Sequence, residues 1–192
     1  MTAITFNLNS IVQITDEQFY QLCRENPDVK FERNAKGEII VMPPTGGETG
    51  KRNAGFTADF VIWNRTYQLG EVFDSSTCFK LPNGANRSPD VAWIKKERWD
   101  ALTPQEKAKF PPIAPDFVLE LMSPSDDLEE IQAKMREYID NQVKLGWLIN
   151  PQAKQVEIYR PGKPVEILDS PTQLSDEDIL PGFILDLGIV WN

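Results

Sequence analysis

Apolar positions along this chain recur at two periods, one helical and one extended, separated by clear breaks. Thr15-Asp16-Glu17-Gln18 matches a capping box, and Phe19, Leu22 and Cys23 follow at helical spacing. A short amphipathic helix ending near Asn26-Pro27 is expected. Residues 29–32 and 38–42 read as a hairpin turning at Asn34-Ala35-Lys36-Gly37, and Pro43-Pro44-Thr45-Gly46-Gly47 is a break. From Glu48 to Leu69 the spacing is helical again. Ala54, Ala58, Val61, Ile62 and Leu69 are expected on its buried face, with Gly70 as the stop. Residues 72–81 and 88–94 read as two strands of a second hairpin around Pro82-Asn83-Gly84. A short helix is expected after Thr103-Pro104. Residues 117–122 are nearly all apolar, as in a central strand buried on both faces.

Residues 126–145 carry the best helical pattern. Leu128, Ile131, Met135, Ile139 and Gln142 fall on one side, acidic residues crowd the first turns, and Gly146 is the expected stop. Two strands, 147–149 and 156–159, follow around Asn150-Pro151. Such an order predicts an α/β (α+β) fold. A mixed sheet is flanked by helices, an N-terminal helix and hairpin precede it, and residues 1–192 form one domain.

Composition narrows the chemistry. Of 192 residues, 41% are hydrophobic and 26% charged, which is ordinary globular composition. There is no histidine, so Ser-His-Asp and Cys-His catalysis and histidine metal sites are excluded. Cys23 and Cys78 make neither a zinc site nor a disulfide framework and are expected as buried thiols in a reducing compartment. No run of 18 apolar residues and no secretory signal is seen, so a cytoplasmic protein without a membrane partner is expected. The net charge is -9, but its spread is uneven: residues 45–110 hold 10 basic and 8 acidic side chains, residues 111–192 hold 6 and 15. That balance argues against tight, non-specific DNA binding yet leaves room for a local basic groove.

Two carboxylates stand out. Asp90 follows a proline in Ser88-Pro89-Asp90-Val91, and Glu120 sits inside Phe117-Val118-Leu119-Glu120-Leu121-Met122. A charge in an apolar strand is expensive to bury without a cation or a hydrogen-bond network. Glu120 is therefore either a site residue or a carboxylate hydrogen-bonded to a loop at a sheet end. Two carboxylates with only oxygen ligands nearby suit Mg²⁺ or Mn²⁺ rather than zinc, and such an ion can serve phosphodiester hydrolysis. Asp116, four residues before Glu120 on one strand, lies ~13 Å from it and too far to share an ion.

These residues, together with Pro43-Pro44-Thr45-Gly46-Gly47-Glu48, Ala114-Pro115-Asp116, Ser123-Pro124-Ser125, Lys134, Tyr138 and Gly146-Trp147-Leu148-Ile149-Asn150-Pro151, resemble the Uma-type restriction-endonuclease-like family of the PD-(D/E)XK nuclease superfamily. The resemblance spans about residues 12–190. It implies a restriction-endonuclease-like core and a Mg²⁺-dependent DNA endonuclease, with Mn²⁺ as substitute. Asp90 is similar to the aspartate of the superfamily motif and Glu120 to its second acid. The Leu121 carbonyl would be the backbone ligand, and Glu48 resembles an extra acidic ligand. Met122 stands where the superfamily has lysine, and the resemblance implies that Lys134 substitutes for it. Helical spacing sets Lys134 on the flank of its helix with Tyr138 one turn on; a surface pair with Glu130 is the plainer alternative. Lys51 and Arg52 beside Glu48 are accessory candidates for phosphate contact. Nucleases that cut duplex DNA often pair two sites by two-fold symmetry, so a homodimer is expected. The competing readings are a catalytically degraded binding or interaction module of the same fold and a hydrolase of smaller phosphoesters.

Overall fold

The structure, a computed structural model, describes residues 3–176 and 178–191. In chain order the elements are β1 (Ile4–Phe6), α1 (Asp16–Glu25), β2 (Lys30–Arg33), β3 (Ile39–Met42), α2 (Gly47–Tyr67), β4 (Gly70–Asp74), β5 (Phe79–Lys80), β6 (Asn86–Arg87) and β7 (Val91–Lys95). They continue with α3 (Lys96–Asp100), α4 (Pro104–Lys107), β8 (Phe117–Leu121), α5 (Leu128–Asp140), β9 (Leu145–Asn150), β10 (Gln155–Tyr159), β11 (Glu166–Asp169), β12 (Gln173–Asp176), β13 (Leu180–Asp186) and α6 (Gly188–Trp191). The fold is mixed α/β, as the sequence pattern predicts. A six-stranded sheet runs β11-β10-β9-β8-β7-β4, antiparallel except for the parallel pair β8–β9 that α5 connects. A five-stranded sheet runs β1-β3-β2-β6-β5, and β12 pairs with β13. Among the described residues no helix is long and apolar enough to cross a membrane.

Strand β8 divides the core by its alternation. Phe117, Leu119 and Leu121 join the cluster under α2, whereas Val118 and Met122 join the cluster under α5. On the first side Phe60 stacks on Phe117 at 5.0 Å and meets Phe183 at 4.1 Å between ring centroids. On the second, Met135 and Tyr138 are fully buried. Glu120 has the parity of Val118 and Met122, so its side chain leaves the sheet toward α5.

Several boundaries depart from expectation. The buried face of α2 carries Thr49, Phe56, Phe60 and Trp63, while Ile62 is 63% exposed. The large rings bury more area than the alanines that set the predicted face, and they win the rotation of the helix. Gln68, in the left-handed region at φ 54, ends that helix, not Gly70. Gly70 starts β4, where a Cβ would stand 2.2 Å from the Ile94 carbonyl oxygen. The predicted strand 72–81 is two strands, because the Asp74 carboxylate accepts bonds from the Ser76 amide and hydroxyl and turns the chain into the other sheet. Helix α5 stops at Asp140. Gln142, at φ 82, is followed by the Schellman pair of bonds Val143 N–H to Tyr138 O and Gln142 N–H to Ile139 O. Gly146 lies inside β9 instead, where a Cβ would meet Met135 Cε at 2.6 Å.

Candidate functional site

The antiparallel ladder of β7 and β8 pairs Val91 with Leu119. One step beyond it the register sets Asp90 opposite Glu120, and both side chains line one cavity of about 840 Å³. Its walls are the β2–β3 hairpin, the start of α2 and the side of α5. Asp90 is fixed by two donors: the Leu121 amide on Oδ2 at 2.9 Å and Asn53 Nδ2 on Oδ1 at 3.0 Å. Glu120 Oε1 accepts from the Tyr138 hydroxyl at 2.9 Å and faces Lys134 Nζ at 2.8 Å. Among the described residues its Oε2 takes no hydrogen bond.

Lys134 makes a second ion pair, with Glu32 Oε1 at 3.0 Å, rather than the surface pair with Glu130. Glu32 is 2% exposed. It also accepts from the Ser88 amide at 3.0 Å and from Arg87 at 3.0 Å, and Arg87 Nε in turn reaches Glu137 at 2.6 Å. One buried network therefore ties β2, the Arg87-Ser88-Pro89-Asp90 segment, β8 and α5 together.

Charge is unequally settled across this network. Burial pushes the Glu120 carboxyl up and Lys134 pulls it down, but Asp90 and Glu32 repel it, and it ends at about 7. Burial also raises Asp90, against the Leu121 amide, Lys30, Lys134 and Asn53. Glu32 feels the same burial, yet Lys134, Arg87, Lys30 and the Ser88 amide outweigh it and hold it at about 2. Burial opposes the charge on Lys134, but Glu120 and Glu32 overcome it and hold the ammonium above its ordinary range.

The donor set bears on metal binding. Among the described residues no three His, Cys, Asp or Glu side chains converge as a cage. What converges is two carboxylates, one with an unbonded oxygen, plus the backbone of Leu121. An octahedral cation that keeps several waters needs one or two carboxylates from protein, so this set suits Mg²⁺-like ions and not zinc.

Of the residues picked from sequence, Asp90, Glu120, Leu121 and Lys134 line the cavity and Tyr138 backs Glu120. Glu48, Lys51 and Arg52 do not line it. Helix α2 turns Thr49 and Asn53 inward, one turn apart, and this carries Glu48 and Lys51 to exposed positions. Met122 is buried beneath α5 and does not line this cavity. Glu32, Arg87 and Asn53 were missed. In Lys30-Phe31-Glu32-Arg33 nothing sets Glu32 apart locally; its place in the network comes from distant partners, Lys134, Arg87 and the Ser88 amide.

The chain matches the family described as "Putative restriction endonuclease", Uma2, over residues 16–188. A search of curated proteins finds no match. Among solved structures the fold is similar to a crystal structure described as a putative nuclease belonging to DUF820 from Anabaena variabilis ATCC 29413. Their TM-score is 0.71 at 19% identity, covering 84% of this chain and 89% of that one.

Proposed function

We propose that this chain, which belongs to the Uma2 family described as putative restriction endonucleases, is a divalent-metal-dependent endonuclease that hydrolyses phosphodiester bonds in DNA. The observation that carries the reading is the meeting of Asp90 and Glu120 across β7 and β8, with Lys134 on Glu120 at 2.8 Å. Asp90, Glu120 and the Leu121 carbonyl would hold the ion, Mg²⁺ or Mn²⁺ by their oxygen chemistry. When bound, the ion would polarise the phosphate and lower the pKa of a coordinated water.

The protein side of the chemistry is positioning. Asn53 and the Leu121 amide fix the Asp90 carboxylate, and Tyr138 fixes Glu120. Lys134, held by two carboxylates, is a fixed positive charge whose remaining N–H can donate to a non-bridging phosphate oxygen as negative charge grows there. It thereby takes the part for which Met122 lacks a charge. Residues 1–192 would then be one nuclease unit, acting as a cytoplasmic homodimer on duplex DNA.

Cleavage of supercoiled plasmid in Mg²⁺ or Mn²⁺, by wild type and by Lys134→Met, tests it. Wild type should nick the plasmid only with metal, and Lys134→Met should lose about 10²-fold or more in rate while keeping its fold. No cleavage by wild type under any divalent ion would leave the fold as a binding module. Cleavage of nucleotides but not plasmid would favour a smaller phosphoester.

A further inference from the structure

Resting on that metal-dependent reading, we infer that Glu32 is a positioning residue: it anchors the Lys134 ammonium so that Glu120 remains free to take a divalent cation. Lys134 Nζ lies 2.8 Å from Glu120 and 3.0 Å from Glu32. Its side chain is 13% exposed and those of Glu120 and Glu32 are 9% and 2% exposed, so water does little to screen these charges. With Glu120 as its one anionic partner, the ammonium would neutralise the carboxylate that the metal needs. A cation arriving at Glu120 would then strand a buried ammonium without a counter-charge.

Glu32 removes that conflict because it is itself held by other donors. Ser88 N–H and Arg87 hold it at 3.0 Å each, and Arg87 is braced by Glu137. The same short segment, Arg87-Ser88-Pro89-Asp90, therefore fixes the anchor at one end and presents a proposed metal ligand at the other. Glu120 meets Lys134 and Tyr138 through Oε1 alone, which leaves Oε2 facing the cavity. Glu32 needs no contact with the metal or the substrate to do this; it acts through Lys134.

Mn²⁺ calorimetry on wild type, Glu32→Gln, Lys134→Met and the double variant separates this role from others. Glu32→Gln should weaken Mn²⁺ binding 10- to 100-fold, the usual cost of losing a group behind the ligands. In the Lys134→Met background the same substitution should cost nothing, because the residue through which Glu32 acts is gone. An equal loss in both backgrounds would make Glu32 a direct ligand or a fold element and overturn the inference. Wild type that binds Mn²⁺ with no loss in Glu32→Gln would overturn the inference alone. Wild type that binds no Mn²⁺ would overturn the metal reading with it. Should Glu32→Gln fail to fold, nitrogen-15 NMR of the Lys134 ammonium in wild type decides. A slowly exchanging signal should persist when Mg²⁺ is added, and its loss on Mg²⁺ addition would contradict the anchor.

Discussion

Replacing Glu120 by Gln should stabilise the metal-free protein, and the gain should depend on pH in a stated way. Gln keeps an oxygen for the Tyr138 hydroxyl and leaves Lys134 its pair with Glu32, but it cannot ionise. The Glu120 carboxyl sits at about 7 in the folded chain against the ordinary 4.5. Below pH 4.5 it is protonated in both folded and unfolded states and costs nothing. Between 4.5 and 7 the folded chain holds a proton that the unfolded chain has released, so stability falls as pH rises through that window. Above 7 the full penalty stands, on the order of 3 kcal/mol. In a chain of this size each kcal/mol moves Tm by about 2–4 °C, so the expected separation is about 6–12 °C. Calorimetric melts in EDTA at pH 4.5 and pH 8 would measure it. The two proteins should melt nearly together at pH 4.5, and the variant should melt higher at pH 8. A variant that melts lower at pH 8, or by the same offset at both pH values, would show that Glu120 is a structural acceptor carrying no stored charge penalty.

Glu32 should behave with the opposite sign: held at about 2, it contributes stability above pH 4.5 that is lost as pH falls toward 2. Glu32→Gln should therefore cost about 3 kcal/mol at neutral pH in urea titrations and much less near pH 2; a cost independent of pH would refute the ion-pair origin. At the end of α5, Gln142 occupies the left-handed region at φ 82, so Gln142→Gly should raise stability by about 1 kcal/mol in the same titrations. A loss would mean that its side chain matters more than its backbone. Across Gly70, where a Cβ would strike the Ile94 carbonyl oxygen, Gly70→Ala should lower stability by about 1–3 kcal/mol, and an unchanged melt would contradict that contact.

Part of the candidate cavity was legible in sequence because two of the acids that line it violate local pattern. Glu120 is a charge within an apolar strand and Asp90 follows a proline before another, and each anomaly marked a residue of the cavity wall. The fold class followed from the long helical runs and the apolar strand at residues 117–122. What sequence could not give was rotation and partnership. The face of α2 depends on which rings fit the sheet, so Glu48 and Lys51 were expected beside the acids, whereas Thr49 and Asn53 line the cavity. Lys134 was placed by spacing on the flank of its helix, but its two carboxylate partners come from strands 102 and 14 residues away in sequence. Glu32 carried no local anomaly, since its partners Lys134, Arg87 and the Ser88 amide are all distant in sequence.

A crystal grown with Mn²⁺, read by anomalous scattering at the manganese edge, would locate the ion itself. One strong peak should lie between the Asp90 and Glu120 carboxylates, within about 2.0–2.3 Å of an oxygen from each, with Lys134 still seated on Glu32. Clear density for both side chains with no peak between them, or a peak held by other residues, would contradict the metal reading.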